Sequence, residues 1–78
     1  MAHATVRDAA HLGRMLREGR DAQGISQREL AERLGITQRD VYNMESGAPT
    51  KYAHRLFQIL AATGSTMTIE LPEESTDG

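Results

Sequence analysis

The chain has 78 residues, no cysteine, three aromatic residues and a formal net charge of −2. A chain this short makes one small domain with a barely sufficient core, so close packing or a second subunit must stabilise it. The lack of cysteine excludes disulfides and thiolate metal sites. The charge is uneven, because residues 1–69 carry +2 and residues 70–78 carry −4. We therefore expect a mildly basic body with an acidic tail.

Several function classes are disfavoured by the sequence. The opening stretch MAHATVRDAA lacks the basic and apolar segments of a secretory signal, and no apolar run is long enough to span a membrane. We therefore expect a cytoplasmic protein without membrane contact. The histidines His3, His11 and His54 fit no metal-binding spacing, and no nucleophile or phosphate-loop motif is present. We expect no enzymatic activity, no metal and no cofactor.

Two helices are predicted in the first half of the chain. The first begins at a Thr5 cap and runs to about Ala22. Its buried side carries Leu12, Met15 and Leu16. The second opens with SQRE, a capping box, and ends at a glycine suited to a left-handed cap. Its inward face consists of Leu30, Ala31 and Leu34.

Two more helices follow. The third is capped by Thr37 and runs to about Ser46. The fourth runs from about Lys51 to Thr63 and is followed by Gly64. Its apolar stripe consists of Leu56, Ile59 and Leu60.

The hydrophobic period then changes from helical to alternating. In TMTIEL, the apolar residues Met67, Ile69 and Leu71 share one side of a predicted strand. We find no second strand in the sequence, and a lone strand leaves its backbone hydrogen-bonding groups unpaired. The same strand from a second chain would satisfy them. We therefore expect an obligate homodimer whose two strands pair antiparallel about a two-fold axis.

The second and third helices are joined by only three residues, which forces them to cross steeply. Such a crossing needs a small residue at the contact, a positive-φ residue in the turn, and apolar anchors on the next helix. Ala31, Gly35, Val41 and Met44 supply these at positions five, nine, fifteen and eighteen, counted from Gln27. This spacing is typical of a DNA-binding helix-turn-helix.

With Val41 and Met44 turned inward, the third helix presents a polar stripe to the solvent. Arg pairs bidentately with guanine, and Gln and Asn pair with adenine, so the stripe suits base reading in the major groove. The candidate base contacts are Gln38, Arg39, Tyr42 and Asn43. The candidate phosphate contacts are Gln27, Arg28, Thr37, Ser46, Thr50 and Lys51. A solvated face on a small helical domain is the plain alternative.

The stretch GISQRELAERLGITQRDVYNMESG resembles the helix-turn-helix of the phage repressor and Cro group, often named XRE-type regulators. The resemblance implies a lambda-repressor-like all-α fold of four to five helices, with Gln27 on phosphate and Gln38, Arg39 and Asn43 on bases. It also implies a buried ion pair between Arg20 and Glu45. An unpaired carboxylate on the inward side of the third helix would be costly, which favours the same pair.

The stretch LFQILAATGSTMTIEL is similar to HipB-like antitoxins, in which strands from two subunits pair across the dimer. That resemblance implies a HipA-type serine/threonine kinase toxin as partner and repression of the antitoxin's own operon. A stand-alone autoregulatory or phage-type repressor shares every DNA-binding expectation and stays open as the alternative.

The sequence thus predicts a helix-turn-helix DNA-binding domain over residues 1–64, a dimerisation strand over 65–72 and an acidic tail over 73–78. We expect the protein to bind double-stranded DNA at a palindromic operator as a homodimer and to repress transcription.

Overall fold

The computed structural model of the chain describes residues 2–48 and 50–73, so most of the predicted acidic tail lies outside the described residues. Four helices and one two-stranded antiparallel sheet make up this part of the chain. In chain order the elements are β1 (Ala2–Val6), α1 (Ala9–Ala22), α2 (Gln27–Leu34), α3 (Gln38–Glu45), α4 (Lys51–Thr63) and β2 (Met67–Leu71).

The ends of the described chain meet in a β-ribbon. β1 pairs antiparallel with β2, in a register that sets Ala2 opposite Leu71 and Val6 opposite Met67. Successive side chains alternate across a strand, so one face carries Ala4 and Val6 with Met67, Ile69 and Leu71, and the other carries His3 and Thr5 with Thr68 and Glu70. His3 and Glu70 lie opposite each other on the polar face, with 3.6 Å between Nδ1 of His3 and Oε1 of Glu70.

The ribbon corrects our expectation that the sequence holds only one strand. β2 finds its partner within the same chain, so one of its edges is satisfied without a second subunit. The argument that β2 needs a second chain is therefore wrong. The sequence AHATV carries only a weak strand signal, since alanine is a poor strand former, and its partner lies more than 60 residues away.

The start of α1 is also corrected. Thr5, the expected cap, lies in β1 opposite Thr68. Asp8 caps the helix instead, and its carboxylate accepts a hydrogen bond of 2.7 Å from the backbone N–H of His11. The helix can begin only after the chain leaves the ribbon at Val6, so its first turn starts later in the sequence than we predicted.

The other helix ends follow local chemistry. Ser26 caps α2 by accepting from the N–H of Glu29, but the Glu29 carboxylate pairs with Arg33 at 2.8 Å rather than reaching back. Gly35 ends α2 in the left-handed region, with φ of 68°. Thr50 caps α4, and Gly64 ends it.

Helices α1 and α3 approach each other closely at Gly13. A Cβ atom built on Gly13 would overlap the backbone carbonyl oxygens of Glu45 and of Met44, the latter at 2.6 Å. Only glycine fits at this position because the opposing atoms are backbone and cannot swing aside. The glycine inside the first predicted helix therefore marks a helix contact.

The core is small. Among the described residues, the buried apolar side chains are Val6, Met15, Ala31 and Val41. Four residues expected to face inward are instead exposed: Leu16 at 37%, Leu34 at 60%, Met44 at 60% and Ile59 at 61%.

The exposure of Met44 and Leu34 has a structural reason. At Gly13, helix α1 packs against the end of α3 on the side of Glu45. Glu45 is therefore buried and Met44 is exposed. In α2 only Ala31 is buried, because the turn brings α3 over that residue and not over the last turn of the helix.

Candidate nucleic-acid interface

The first turn of α3 is preorganised by a complete capping box. Thr37 Oγ1 accepts from the N–H of Asp40 at 3.0 Å, and Asp40 Oδ2 accepts from the N–H of Thr37 at 3.1 Å. The Thr37 hydroxyl, and with it the Thr37 backbone N–H, stabilises the charged form of the Asp40 carboxylate and so lowers the pKa of Asp40. Asp40 therefore serves the cap, and it fixes the turn from which Gln38 and Arg39 project.

The four predicted base-reading residues lie on one exposed surface. Gln38, Arg39, Tyr42 and Asn43 line an open concavity of about 450 Å³ together with Gln27 at the start of α2. Within residues 2–48 and 50–73, Arg39 has no ion-pair partner. Its guanidinium therefore keeps its donors for an external acceptor, as bidentate guanine recognition requires.

A buried ion pair fixes α3 against α1. Arg20 Nε donates to Glu45 Oε2 at 2.6 Å, and Arg20 Nη2 donates to Glu45 Oε1 at 2.9 Å. The side chains of Arg20 and Glu45 are only 10% and 6% exposed. Arg20 Nη1 also donates to the carbonyl of Ile25 at 2.7 Å, which ties the segment before α2 to the same ion pair. We name the Arg20–Glu45 pair the ion-pair hub.

Gln27 joins this hub from the side of the concavity. Its Nε2 donates to Glu45 Oε1 at 3.0 Å. An amide nitrogen carries two hydrogens, so one N–H remains for a phosphate oxygen. We predicted Gln27 as a phosphate contact but not its bond to Glu45. The only sequence signal for it was a glutamine at the start of α2 in a fold where Glu45 turns inward.

The hub shifts the pKa values of both charged partners. The hydrogen bonds from Arg20 hold the pKa of Glu45 below its usual range, with a smaller contribution from Gln27, and outweigh the opposing effect of burial. Glu45 in turn raises the pKa of Arg20. Both groups are therefore charged at neutral pH, and the pair is intact.

The pair predicts acid sensitivity of the fold. A carboxylate with a lowered folded pKa stabilises the protein above its unfolded pKa of roughly 4.3, and that stability is lost as pH falls through the lower folded value. We expect the free energy of unfolding in urea to fall below about pH 4.3. The fall should be shallower in Glu45→Gln than in the exposed control Glu32→Gln. Equal slopes in the two variants would contradict the role of Glu45.

Three hydroxyls predicted at phosphates already make hydrogen bonds within the chain. Thr37 and Thr50 each accept from a backbone N–H at 3.0 Å. Accepting leaves the hydroxyl hydrogen of Thr50 free to donate to phosphate, whereas the Thr37 hydroxyl also interacts with the Asp40 carboxylate. Ser46 Oγ instead donates to the carbonyl of Asn43 at 3.0 Å. Its only hydrogen is used there, so Ser46 is the poorest phosphate donor of the three.

The two predicted cationic phosphate contacts are exposed. Arg28 lies 4.0 Å from Glu32 in a pair whose side chains are 82% and 73% exposed, so a phosphate can compete for its guanidinium. Lys51 is the first residue of α4 and is also exposed. It does not line the concavity with Gln38 and Arg39, which suits a backbone contact rather than base reading.

The residues predicted to form the dimer strand lie elsewhere. Met67, Ile69 and Leu71 are half-buried on the apolar face of the ribbon, away from the base-reading surface. A Leu71 methyl group lies 3.5 Å from a Cβ built on Gly19 of α1, so the ribbon packs on the C-terminal half of that helix.

No helix within residues 2–48 and 50–73 has the length and apolar character needed to cross a membrane.

The sequence of the chain is similar to known helix-turn-helix proteins. A family model described as helix-turn-helix matches residues 16–69, which include α2, α3 and the ion-pair hub. The chain is similar to the uncharacterized HTH-type transcriptional regulator y4mF of Sinorhizobium fredii, with 30% identity over 69 residues, 88% of this chain and 91% of the relative. No solved structure matches the chain.

Proposed function

The chain belongs to the helix-turn-helix family of DNA-binding transcriptional regulators, and we propose that it represses transcription by binding a palindromic operator as a homodimer. The observation that supports this most directly is the concavity shared by Gln27, Gln38, Arg39, Tyr42 and Asn43. Its donors and acceptors match base edges, and it lies on a helix whose N-terminal turn is free to enter a major groove.

The residues divide into base and backbone contacts. We assign Gln38, Arg39 and Asn43 to bases, and Tyr42 to a thymine methyl group or a phosphate. Gln27, Arg28 and Lys51 fit the phosphate backbone, joined by the hydroxyls of Thr37 and Thr50. In a dimer the two α3 helices would occupy successive major grooves, roughly 34 Å apart.

The antitoxin role is a finer proposal. The similarity of residues 56–71 to HipB-like antitoxins supports a HipA-type kinase as protein partner, with the complex repressing its own operon. The pairing of β2 with β1 uses one edge of β2, so any strand pairing between subunits would use the other edge. Copurification of a kinase encoded in the same operon would favour this role over a stand-alone repressor.

Binding to the DNA upstream of the protein's own gene tests the central proposal. A fluorescent duplex of that DNA and a random duplex of equal length are titrated over a series of salt concentrations. We expect tighter binding to the upstream duplex and affinity for both that falls with salt, because cationic side chains release counterions from phosphates. Equal, weak binding to both duplexes would contradict sequence-specific repression.

A further inference from the structure

One side of the domain presents an apolar surface that nothing in the described chain covers. Helix α1, the C-terminal end of α3 and helix α4 form it. The surface contains two neighbouring grooves of about 250 and 440 Å³, and Tyr52 and Leu56 line both of them. We name this surface the α4 face, and its residues are Leu12, Leu16, Met44, Tyr52, Leu56 and Ile59.

The exposure on the α4 face is large for so small a protein. Tyr52 is 80% exposed, Ile59 61%, Met44 60% and Leu16 37%. Helix α4 has no buried residue, although its sequence is mostly apolar. The described core contains only four buried apolar side chains. A domain with so small a core gains stability by burying more apolar surface, and the apolar side chains of the α4 face are exposed instead.

The apolar area agrees with what a stable dimer needs. Four side chains exposed to this degree, one of them a tyrosine, present roughly 400 Å². A standard interface buries about 800 Å² per partner, of which somewhat more than half is apolar, or roughly 450 Å². The α4 face alone therefore supplies nearly the whole apolar part of such an interface.

The spacing on α4 is self-complementary. Tyr52, Leu56 and Ile59 follow one another at i, i+4 and i+7, which places them on one stripe of the helix. Leu56 lies near the middle of this stripe. If two copies of α4 cross antiparallel at Leu56, Tyr52 of each copy meets Ile59 of the partner subunit, as a two-fold interface requires.

The same arrangement suits paired DNA-reading helices. Met44 is the penultimate residue of α3 and lines the α4 face, so a two-fold axis at this face lies near the C-terminal ends of both α3 helices. The N-terminal turns with Gln38 and Arg39 then lie away from the axis, one on each half-site.

We propose that a second copy of this chain packs on the α4 face, and that this contact rather than strand pairing is the main dimer interface. The inference rests on the homodimer of the proposed function. The charges at its rim give it a distinct salt response. Arg55 lies beside Leu56, where the two helices cross, and α4 contains no acidic residue, so the two Arg55 side chains approach one another across the axis. Salt screens this repulsion and should tighten the dimer, whereas it weakens DNA binding.

Sedimentation equilibrium of the full chain and three variants tests the inference. Ile59→Glu places a charge in the proposed interface, and Ile59 is exposed enough in one subunit for that subunit to stay folded. Gln58→Glu is the matched control, one residue away on the exposed surface. Ile69→Asp places a charge on the ribbon instead. We expect Ile59→Glu to raise the dimer dissociation constant by at least about tenfold and Gln58→Glu to leave it unchanged.

Each other outcome has a defined meaning. Circular dichroism checks that the variants are folded, and Tyr52→Glu repeats the test from the other end of the stripe. A folded Ile59→Glu or Tyr52→Glu that dimerises like the full chain would overturn the α4 interface, as would dissociation by Ile69→Asp alone. A wild-type chain that is monomeric at micromolar concentration would overturn it too. Failure of the proposed function is seen separately, as loss of preference for the upstream duplex by the wild-type protein.

Discussion

Replacing Glu45 by alanine is expected to lower the free energy of unfolding by about 3 kcal/mol. Its partner Arg20 is 10% exposed and makes two of its hydrogen bonds to this carboxylate. Removing the carboxylate leaves the buried guanidinium with only the exposed Asp21, 3.2 Å from its Nη1, as an anionic partner, and Gln27 also loses its acceptor. Urea unfolding at neutral pH, followed by circular dichroism, measures the change.

The control is a second glutamate outside the core. Glu32 faces Arg28 in an exposed pair, and Glu32→Ala is expected to change the free energy of unfolding by less than about 1 kcal/mol. The double variant Arg20→Met with Glu45→Leu should lose less stability than Glu45→Ala alone, because no unpaired charge stays buried. If Glu45→Ala cost no more than Glu32→Ala, the hub would not hold α1 and α3 together.

The second large effect is expected at the base-reading surface. Arg39→Ala should reduce the preference for the upstream duplex over random DNA by about 1–3 kcal/mol, because a bidentate arginine contact specifies one base pair. The fold should not change, since Arg39 is exposed and has no ion-pair partner among the described residues. Competitive fluorescence anisotropy with both duplexes measures the preference.

Lys51→Ala is the matched control for a cation that contacts phosphate. It should weaken binding to both duplexes by a similar factor and reduce the slope of affinity against salt. A preference that survives Arg39→Ala would mean that α3 does not read bases with its first turn. Loss of the preference in Lys51→Ala would instead indicate that residues at the start of α4 read bases.

The sequence was most informative where a few neighbouring residues determine the structure. Gly35 and Gly64 end their helices because each adopts a positive φ, and Thr37 caps α3 as expected. The bounds of α4, from Lys51 to Thr63, also agree with the prediction. Such signals depend on backbone hydrogen bonds within one turn, so they can be read without knowing the rest of the fold.

The misses all depend on distant contacts. β1 forms only because β2 lies beside it, and its alanine-rich sequence gives little local indication of a strand. Met44 was assigned inward from its place in the helix-turn-helix spacing. α1 approaches α3 at Gly13 and covers Glu45, as expected, but it leaves Met44 exposed, and no periodicity within α3 shows where this contact falls. The same arrangement leaves Met44 on the α4 face.

The β-ribbon has a consequence for the order in which the protein folds. Its register joins Ala2 to Leu71, the most distant pairing in the described chain, so its loop is the last to close during synthesis. Until β2 has emerged from the ribosome, Val6, which is 2% exposed in the finished fold, has no strand to cover it. A nascent chain can therefore complete α2 and α3 while its first strand remains an apolar segment open to chaperones and proteases.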